Sequence, residues 1–199
     1  RSPILNASEL FALGDFELYQ KGAHLTVISA QMIETFYPLR ADFDRLAVGT
    51  YLLNVTEGFI QPGVPAQELF MLLLHTLSRL TFTDQPWRPL VAGFLLHLSD
   101  CEGFRPRLQH CIHCQKRLTD AESTWFDPRE GGLVCYDCHN KLHAPVSAAQ
   151  VHWMRTMLAK GSAAWVDSPE MTAPFTLLRN YVESRLDKPV KAAAMLPRD

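Results

Sequence analysis

The alternation of apolar and polar residues near the start of the chain predicts a β-hairpin. FELYQ and LTVIS each place apolar side chains at alternate positions, and KGAH between them supplies Gly22 for the turn. The preceding ELFAL is interpreted as a further strand. Three strands do not complete a small barrel, so residues 1–29 are expected to form the later strands of a larger β domain.

After about residue 30 the apolar spacing changes to the three- and four-residue intervals of helices. Helices are predicted in AQMIETFYPL, DFDRLAVGTYLLNVTEGFI, PAQELFMLLLHTLSRLTF and WRPLVAGFLLHLSD. Pro65 is expected to be the first helical residue of the third segment. That helix is apolar around much of its circumference, at Leu72, Leu73, Leu74 and Leu77. It is therefore predicted to lie buried between other helices in a core formed by residues 30–107.

Two more helices are predicted in residues 144–199. SAAQVHWMRTMLAKG begins with a capping box, in which Ser147 is the N-cap and Gln150 follows three residues later. Gly161 is placed to end this helix. PFTLLRNYVESRL, at residues 174–186, has an apolar face formed by Phe175, Leu178, Val182 and Leu186. Both helices are expected to complete the helical domain.

The composition is typical of a soluble globular protein, with 47% hydrophobic residues, 20% charged residues and a net charge of −2. The richest apolar run, LFMLLLHTLSRL, is interrupted by His75, Ser78 and Arg79, so no membrane span is predicted. Proteins bind polyanions mainly through clustered Lys and Arg. Because residues 1–100 are net acidic, binding of nucleic acid would depend on a local basic patch.

Four of the five cysteines form two Cys-x-x-Cys pairs, and these are Cys111, Cys114, Cys135 and Cys138. Two tight turns of this kind bring four thiolates to one tetrahedral zinc ion, with Zn–S distances of about 2.3 Å. Between the pairs, ESTWF and GLVC are β-prone, and DPREGG is a strong turn sequence. Residues 108–143 therefore predict a four-cysteine zinc ribbon with one structural Zn2+. No secretory leader is expected, so the five cysteines fit a reducing compartment, in which paired Cys-x-x-Cys motifs bind metal more often than they form disulfides.

Several alternatives remain open for these cysteines. An iron–sulfur cluster also uses four thiolates, whereas a redox Cys-x-x-Cys motif lacks its βαβ context here. One nearby histidine could replace a cysteine ligand, although exposed loop positions are the favoured interpretation for His110, His113, His139 and His143. Cys101 is expected to be a buried or free thiol. Four cysteine ligands leave no coordination position for water or substrate, so the centre is predicted to be structural and the protein not an enzyme.

The ordered set of segments resembles the RecO family of bacterial recombination mediators. RSPILNASELFALGDFELY is similar to the later strands of that family's OB-fold, and DRLAVGTYLLNVTE and ELFMLLLHTL are similar to its helical core. LSDCEGFRPRLQHCIHC with EGGLVCYDC resembles its zinc module, and LLRNYVESRL resembles its closing helix. The resemblance implies a mostly α fold with small β parts. Its components would be a partial N-terminal OB-like domain, a helical bundle and a four-cysteine zinc-ribbon insertion.

The resemblance also implies a function. Such a protein is a non-enzymatic mediator in the bacterial cytoplasm, associated with the nucleoid. It binds single-stranded DNA, promotes strand annealing, and works with RecR to load RecA onto DNA coated by single-strand-binding protein. The near-neutral charge of residues 101–143 favours an alternative, a zinc-ribbon scaffold for protein interactions with little direct DNA binding. A zinc-dependent hydrolase would require an open metal site.

Candidate contact residues follow from charge and position. The candidates for DNA phosphates flank the ribbon and are Arg105, Arg107, Lys116, Arg117 and Lys141. The candidates for the acidic, apolar C-terminal tail of single-strand-binding protein are Arg179, Arg185, Lys188 and Lys191. Phe11, Phe16 and Tyr19 are aromatic residues of the β domain. Phe16 and Tyr19 face opposite sides of one strand, so they cannot share a base-stacking face, and at least one is expected in the core.

Overall fold

A computed structural model describes residues 7–119, 122–161 and 172–198. The chain divides into two compact units, residues 1–46 and 47–199. The fold class predicted from the sequence, mostly helical with small antiparallel sheets and a cysteine ribbon, is confirmed. The finer division into segments 1–29, 30–107, 108–143 and 144–199 remains a prediction.

The first unit contains the predicted hairpin. Strand β1 (Leu13–Lys21) pairs antiparallel with β2 (His24–Glu34), and Gly22 adopts a positive φ of 61° in the turn between them. A short helix, α1 (Tyr37–Ala41), follows. The helix predicted from residue 30 is wrong for residues 30–34, because these residues pair with β1 and lengthen β2. Strand pairing overrides the helical spacing of this segment.

Two expectations about the aromatic residues of this unit are wrong. In ELFAL only Leu13 belongs to β1; residues 9–12 form a turn before it, in which Phe11 is buried with a φ of 66°, a conformation that a strand does not allow. Phe16 and Tyr19 are 41% and 56% exposed, so neither belongs to the core. The reason is that the described residues leave both faces of the hairpin largely open to solvent.

The helices of the second unit confirm most of the helical segments predicted from spacing. They are α2 (Phe43–Phe59, whose first four residues belong to the first unit), α3 (Gln67–Phe82), α4 (Trp87–Cys101), α5 (Ala148–Lys160) and α6 (Phe175–Glu183), with a 3-10 turn at Lys191–Met195. Every residue of α4 from Pro89 to Ser99 is buried, and α3, α5 and α6 pack against it. None of the helices within the described residues is long and apolar enough to cross a membrane.

Three details of the helix predictions need correction. The helix surrounded by others is α4, since α3 leaves Phe70 and Met71 49% and 42% exposed. Pro65 precedes α3 instead of beginning it. Helix α6 ends at Glu183, so Leu186 lies beyond it and is only half-buried. The capping box of α5 is confirmed, with reciprocal side-chain bonds between the N-cap serine and the glutamine three residues later.

A three-stranded antiparallel sheet lies between α4 and α5 in the chain. Its strands are β3 (Thr124–Asp127), β4 (Gly132–Cys135) and β5 (Ala144–Val146), in the order β4-β3-β5. The first two strands and their turn were predicted. The third was not, because APV is short and contains a proline, which is tolerated in a sheet only at an edge. This sheet carries the second cysteine pair.

Candidate metal centre

The four paired cysteines converge on one point. Their Sγ atoms all lie within 4.8 Å of one another, and Cys114 Sγ is 3.7 Å from Cys135 Sγ. A tetrahedron of sulfurs about 2.3 Å from a central ion has edges of about 3.8 Å, so this separation fits two ligands of one metal. It is far too long for a disulfide, and all five cysteines are free. The four sulfurs are therefore arranged to hold one metal ion.

Each Cys-x-x-Cys turn forms a knuckle, the first at Cys111–Cys114 and the second at Cys135–Cys138. Backbone hydrogen bonds place the two knuckles side by side. In the first knuckle, Gln115 N–H donates to Cys111 O at 2.9 Å and closes the turn. Ile112 N–H donates to Leu133 O at 2.9 Å, which fixes this knuckle against β4. Cys135 is the last residue of β4, and its carbonyl accepts the Cys138 N–H at 3.2 Å in the second turn. The metal site is thus built on the end of a strand.

The four thiols lie so close together that their pKa values differ from one another. Burial alone would raise the pKa of Cys111, but backbone N–H groups that point at its sulfur lower the pKa to about 6. Hydrogen bonds shared with Cys135 and Cys114 raise the pKa of Cys138 to about 12, and burial raises the pKa of Cys135. The apo site therefore holds protons that a metal ion must displace.

The four sulfurs form a closed ligand set, because no histidine within the described residues belongs to their group. His110 is exposed, and the His139 ring stacks on Trp125 at 3.8 Å between centroids. Cys101 lies on α4, half-buried and apart from the other cysteines. A ligand set of four cysteines offers no position for water or substrate, so it can organise the chain but not activate a nucleophile.

A second group of ligand-type side chains lies nearby, formed by His113, Asp127 and His143. Asp127 Oδ1 accepts the N–H groups of Arg129 and Glu130, while Oδ2 is 3.3 Å from His143 Nε2. His143 Nδ1 accepts the Asn140 N–H at 3.2 Å, so Nε2 carries the proton of a neutral ring and donates to Asp127. This Nε2 is engaged by Asp127, so Asp127 and His143 form a hydrogen-bonded brace, and the His113 ring stacks on His143 with 5.7 Å between centroids.

The expectation that all four histidines are exposed is wrong for His143, which is buried, and for His139, which is half-buried. The pairing of β3 with β5 brings His143 close to Asp127, and β5 was not predicted. Burial of Asp127 favours a raised pKa, but the two backbone N–H groups and His143 outweigh it and lower the pKa.

One residue of α6 fastens the ribbon to the helices. Tyr181 is 1% exposed, and its hydroxyl donates to Phe104 O. Its ring meets Phe126 of β3 edge-on, with 5.3 Å between centroids. A Cβ on Gly131 would overlap the Tyr181 hydroxyl, so the turn approaches this closely only because residue 131 is glycine. The glycine pair in DPREGG was a sequence signal for such a contact.

The five candidate DNA contacts, Arg105, Arg107, Lys116, Arg117 and Lys141, are all exposed around the ribbon. The structure brings the first two together, because both line a cavity of about 430 Å3 with His110 and Arg155. Lys116 is not among the lining residues and forms an ion pair with Glu122 at 3.3 Å. Of the five candidates, Arg105 and Arg107 are the ones that line this cavity, and Arg117 pairs through its backbone with His110 at the cavity.

The four candidate partner contacts divide into two pairs. Arg185 donates to Arg129 O in the ribbon turn at 2.6 Å, and Arg179 lies over the Phe175 ring beside Glu183, at 3.8 Å. Arg185 therefore links the segment after α6 to the ribbon turn, whereas these contacts of Arg179 lie within α6. Lys188 and Lys191 are exposed and line a cavity of about 480 Å3 against α2.

Comparisons with known proteins agree with this architecture. The family model described as "Recombination protein O C terminal" matches residues 40–194. The chain is 30% identical over 199 residues to the DNA repair protein RecO of Desulforamulus reducens, covering 96% of this chain and 76% of that protein. It is 32% identical over 139 residues to that of Alkaliphilus metalliredigens, with 70% and 56% covered. For the protein of Dehalococcoides mccartyi the identity is 30% over 156 residues, with 78% and 61% covered.

The chain thus spans from 56% to 76% of the length of these three relatives. The family match runs from the end of the N-terminal unit through the helices and the cysteine ribbon, which are the parts whose packing is described above. The relatives carry the name of a DNA repair protein. On this match and these identities, the chain belongs to the RecO family.

Proposed function

We propose that this chain is a non-enzymatic mediator of DNA repair that acts at the bacterial nucleoid. It binds single-stranded DNA, promotes annealing of complementary strands, and assists RecR in loading RecA onto DNA coated by single-strand-binding protein. Family membership supports the role in repair. The observation that carries the DNA-binding part is the cationic cavity at the base of the ribbon.

The cavity combines charge with an apolar floor. The side chains of Arg105 and Arg107 are 52% and 56% exposed, so their guanidinium groups reach solvent at its rim. Leu108, Ile112 and Leu158 line the interior. Guanidinium groups beside an apolar surface suit a nucleotide, whose phosphate they bind while the base covers apolar side chains.

The acidic neighbours of these arginines do not prevent phosphate binding. Arg105 is 3.5 Å from Asp100, and Arg107 is 3.7 Å from Glu130. Exposed ion pairs at such distances are worth about 0–1 kcal/mol, so a phosphate can displace either carboxylate. Arg155 plays a different part, since it donates to the carbonyl of Leu108 and shapes the cavity floor.

Zinc is the proposed occupant of the four-cysteine site. Four thiolates at tetrahedral spacing, on two knuckles joined by a strand pair, are the usual ligands of a structural zinc ion. An iron–sulfur cluster is the alternative, and metal analysis with an absorption spectrum separates the two, because a cluster is coloured and zinc is not. A closed zinc site stabilises the fold and supports a non-enzymatic role.

The acidic tail of single-strand-binding protein is proposed to bind beside the C-terminal segment. Lys188 and Lys191 offer exposed charge, and Leu186 offers apolar surface in the same cavity. An acidic, apolar peptide matches that combination. Arg179 and Arg185, the other two candidates, would have to leave intramolecular contacts to take part.

The test of DNA binding is a titration of a labelled single-stranded oligonucleotide at several salt concentrations. We expect tight binding at low salt and a linear loss of log affinity with log salt, with a slope of about −0.7 for each phosphate contact. Arg105→Gln and Arg107→Gln should each weaken binding and reduce the slope by about that amount. Arg198→Gln, which removes an exposed charge from the C-terminal tail, is the control. Wild-type protein without salt-dependent binding would contradict the proposal.

A protein-interaction scaffold is the second candidate. The interspersed charge around the ribbon favours it, since Arg105, Arg107 and Lys116 each have a carboxylate partner. In that case RecR would be captured in a pull-down by protein that shows no salt-dependent DNA binding.

A further inference from the structure

Three aromatic rings lie together on the surface of the ribbon, those of Trp125, Tyr136 and His139, and we call this cluster the aromatic stack because two of its rings stack face to face. The Trp125 and His139 rings are nearly parallel, with 13° between their planes and 3.8 Å between centroids. The Tyr136 ring is tilted against both, by 47° to the His139 ring with 5.3 Å between centroids and by 60° to the Trp125 ring with 5.9 Å between centroids. Neither the metal site nor the packing of the ribbon on α6 uses these rings.

The fold holds the aromatic stack in place. Trp125 is in the central strand of the ribbon sheet, paired with Val134 on one side and Pro145 on the other. Tyr136 lies between the two cysteines of the second knuckle, and the His139 N–H donates to Cys135 O at 3.1 Å. The rings are therefore ordered before any ligand arrives, which lowers the entropic cost of binding.

The aromatic stack is open to solvent at Tyr136. This side chain is 69% exposed, whereas Trp125 and His139 are partly exposed. Lys141, two residues after His139, is also exposed, and Asp137 within the knuckle is the nearby acidic residue in sequence. A surface of this kind has strong stacking capacity and little net charge. It suits bases more than a row of phosphates.

We propose that the aromatic stack binds unpaired bases of single-stranded DNA by stacking, with Lys141 contacting an adjacent phosphate. The inference rests on the proposed function, because it assigns a base-binding surface to a protein that binds single strands. Aromatic side chains stack on every base and so tolerate any sequence, which an annealing protein requires. Double-stranded DNA offers no free base faces, and it should bind this surface weakly.

The test compares four variants in binding of a labelled oligothymidine of about 16 nucleotides. Tyr136→Ala should weaken binding about tenfold, while Tyr136→Phe, which keeps the ring, should bind like wild type. Leu142→Ala is the matched control, because Leu142 is 70% exposed beside Lys141 and has no π face. Stacking is not ionic, so Tyr136→Ala should leave the salt slope unchanged, whereas Lys141→Gln should reduce it by about 0.7.

A second readout uses the emission of Trp125. Oligothymidine should quench tryptophan emission of the wild-type protein, and Trp125→Phe should lose most of that quenching although three other tryptophans remain. Equal affinities for Tyr136→Ala and Leu142→Ala would overturn the inference while leaving the proposed function standing. Loss of RecR capture without loss of oligonucleotide affinity in Tyr136→Ala would also overturn it, in favour of a protein partner. Wild-type protein that binds no oligonucleotide would overturn both.

Discussion

Single residues decide how closely the ribbon approaches the helices. Gly131 has a φ of 70°, and it faces the Tyr181 hydroxyl so closely that a side chain would not fit. Asp127 satisfies two backbone N–H groups of the same turn and meets His143 on its other oxygen. Both residues lie within DPREGG, so this turn is a docking element as well as a reversal of the chain.

Replacement of Gly131 tests the close contact. Gly131→Ala adds backbone strain and forces Tyr181 to move, and overpacking of this kind costs about 1–3 kcal/mol. Gly103→Ala is the matched control, because Gly103 has a φ of 79° with open space around it, so it reports the backbone strain alone. Urea denaturation should show a larger loss of unfolding free energy for Gly131→Ala. Equal losses would mean that Tyr181 does not constrain the turn.

Asp127 should make ribbon stability depend on pH. Its pKa is lowered in the folded protein, so its carboxylate contributes stability above the unfolded pKa of about 3.9, and this is lost as pH falls through the folded pKa. Asp127→Asn should therefore be less stable than wild type at neutral pH by about 1–3 kcal/mol. The difference should shrink in acid, and thermal unfolding of both proteins at several pH values measures it. A pH-independent difference would contradict this assignment.

At the scale of elements, the sequence predicted the helices, strands and turns whose formation depends on residues close together in the chain. The hairpin, the capping box of α5 and the strand pair of the ribbon follow from turn residues and spacing within a few positions. β5 and the end of β2 could not be predicted, because Ala144–Val146 and residues 30–34 become strands only through distant partners. Both α3 and α4 have apolar sequences, and only tertiary packing determines that α4 is the central helix.

The candidate metal centre could likewise be predicted only where its geometry depends on residues close together in the sequence. Cys-x-x-Cys spacing predicted the four ligands, since the turn that it encodes is local. The brace of Asp127 and His143 and the aromatic stack depend on strand pairing across the ribbon, and neither was predicted. Among the charged candidates, sequence could not distinguish Arg185, which is bound to the ribbon turn, from Lys188, which is exposed.

At the scale of the molecule, the four-cysteine site, the DPREGG turn and α6 are connected, and together they hold the ribbon in place. The four sulfurs hold the two knuckles, β4 links them to the glycine turn, and Tyr181 joins that turn to α6. The aromatic stack lies on this ribbon framework, and the cationic cavity is lined by residues of the ribbon segment together with residues of α5. The proposed DNA contacts should therefore depend on the metal, although neither of them touches it.

The most direct test of this account is the rate at which the protein anneals complementary oligonucleotides, followed by fluorescence at low salt. Metal-loaded protein should accelerate annealing strongly, and treatment with a chelator should remove the acceleration, because the ribbon that supports both surfaces loses its fold. Restoring zinc to the treated protein should restore the rate. No acceleration by the metal-loaded protein would contradict the proposed function, and full acceleration after complete removal of the metal would contradict the structural role of the ribbon.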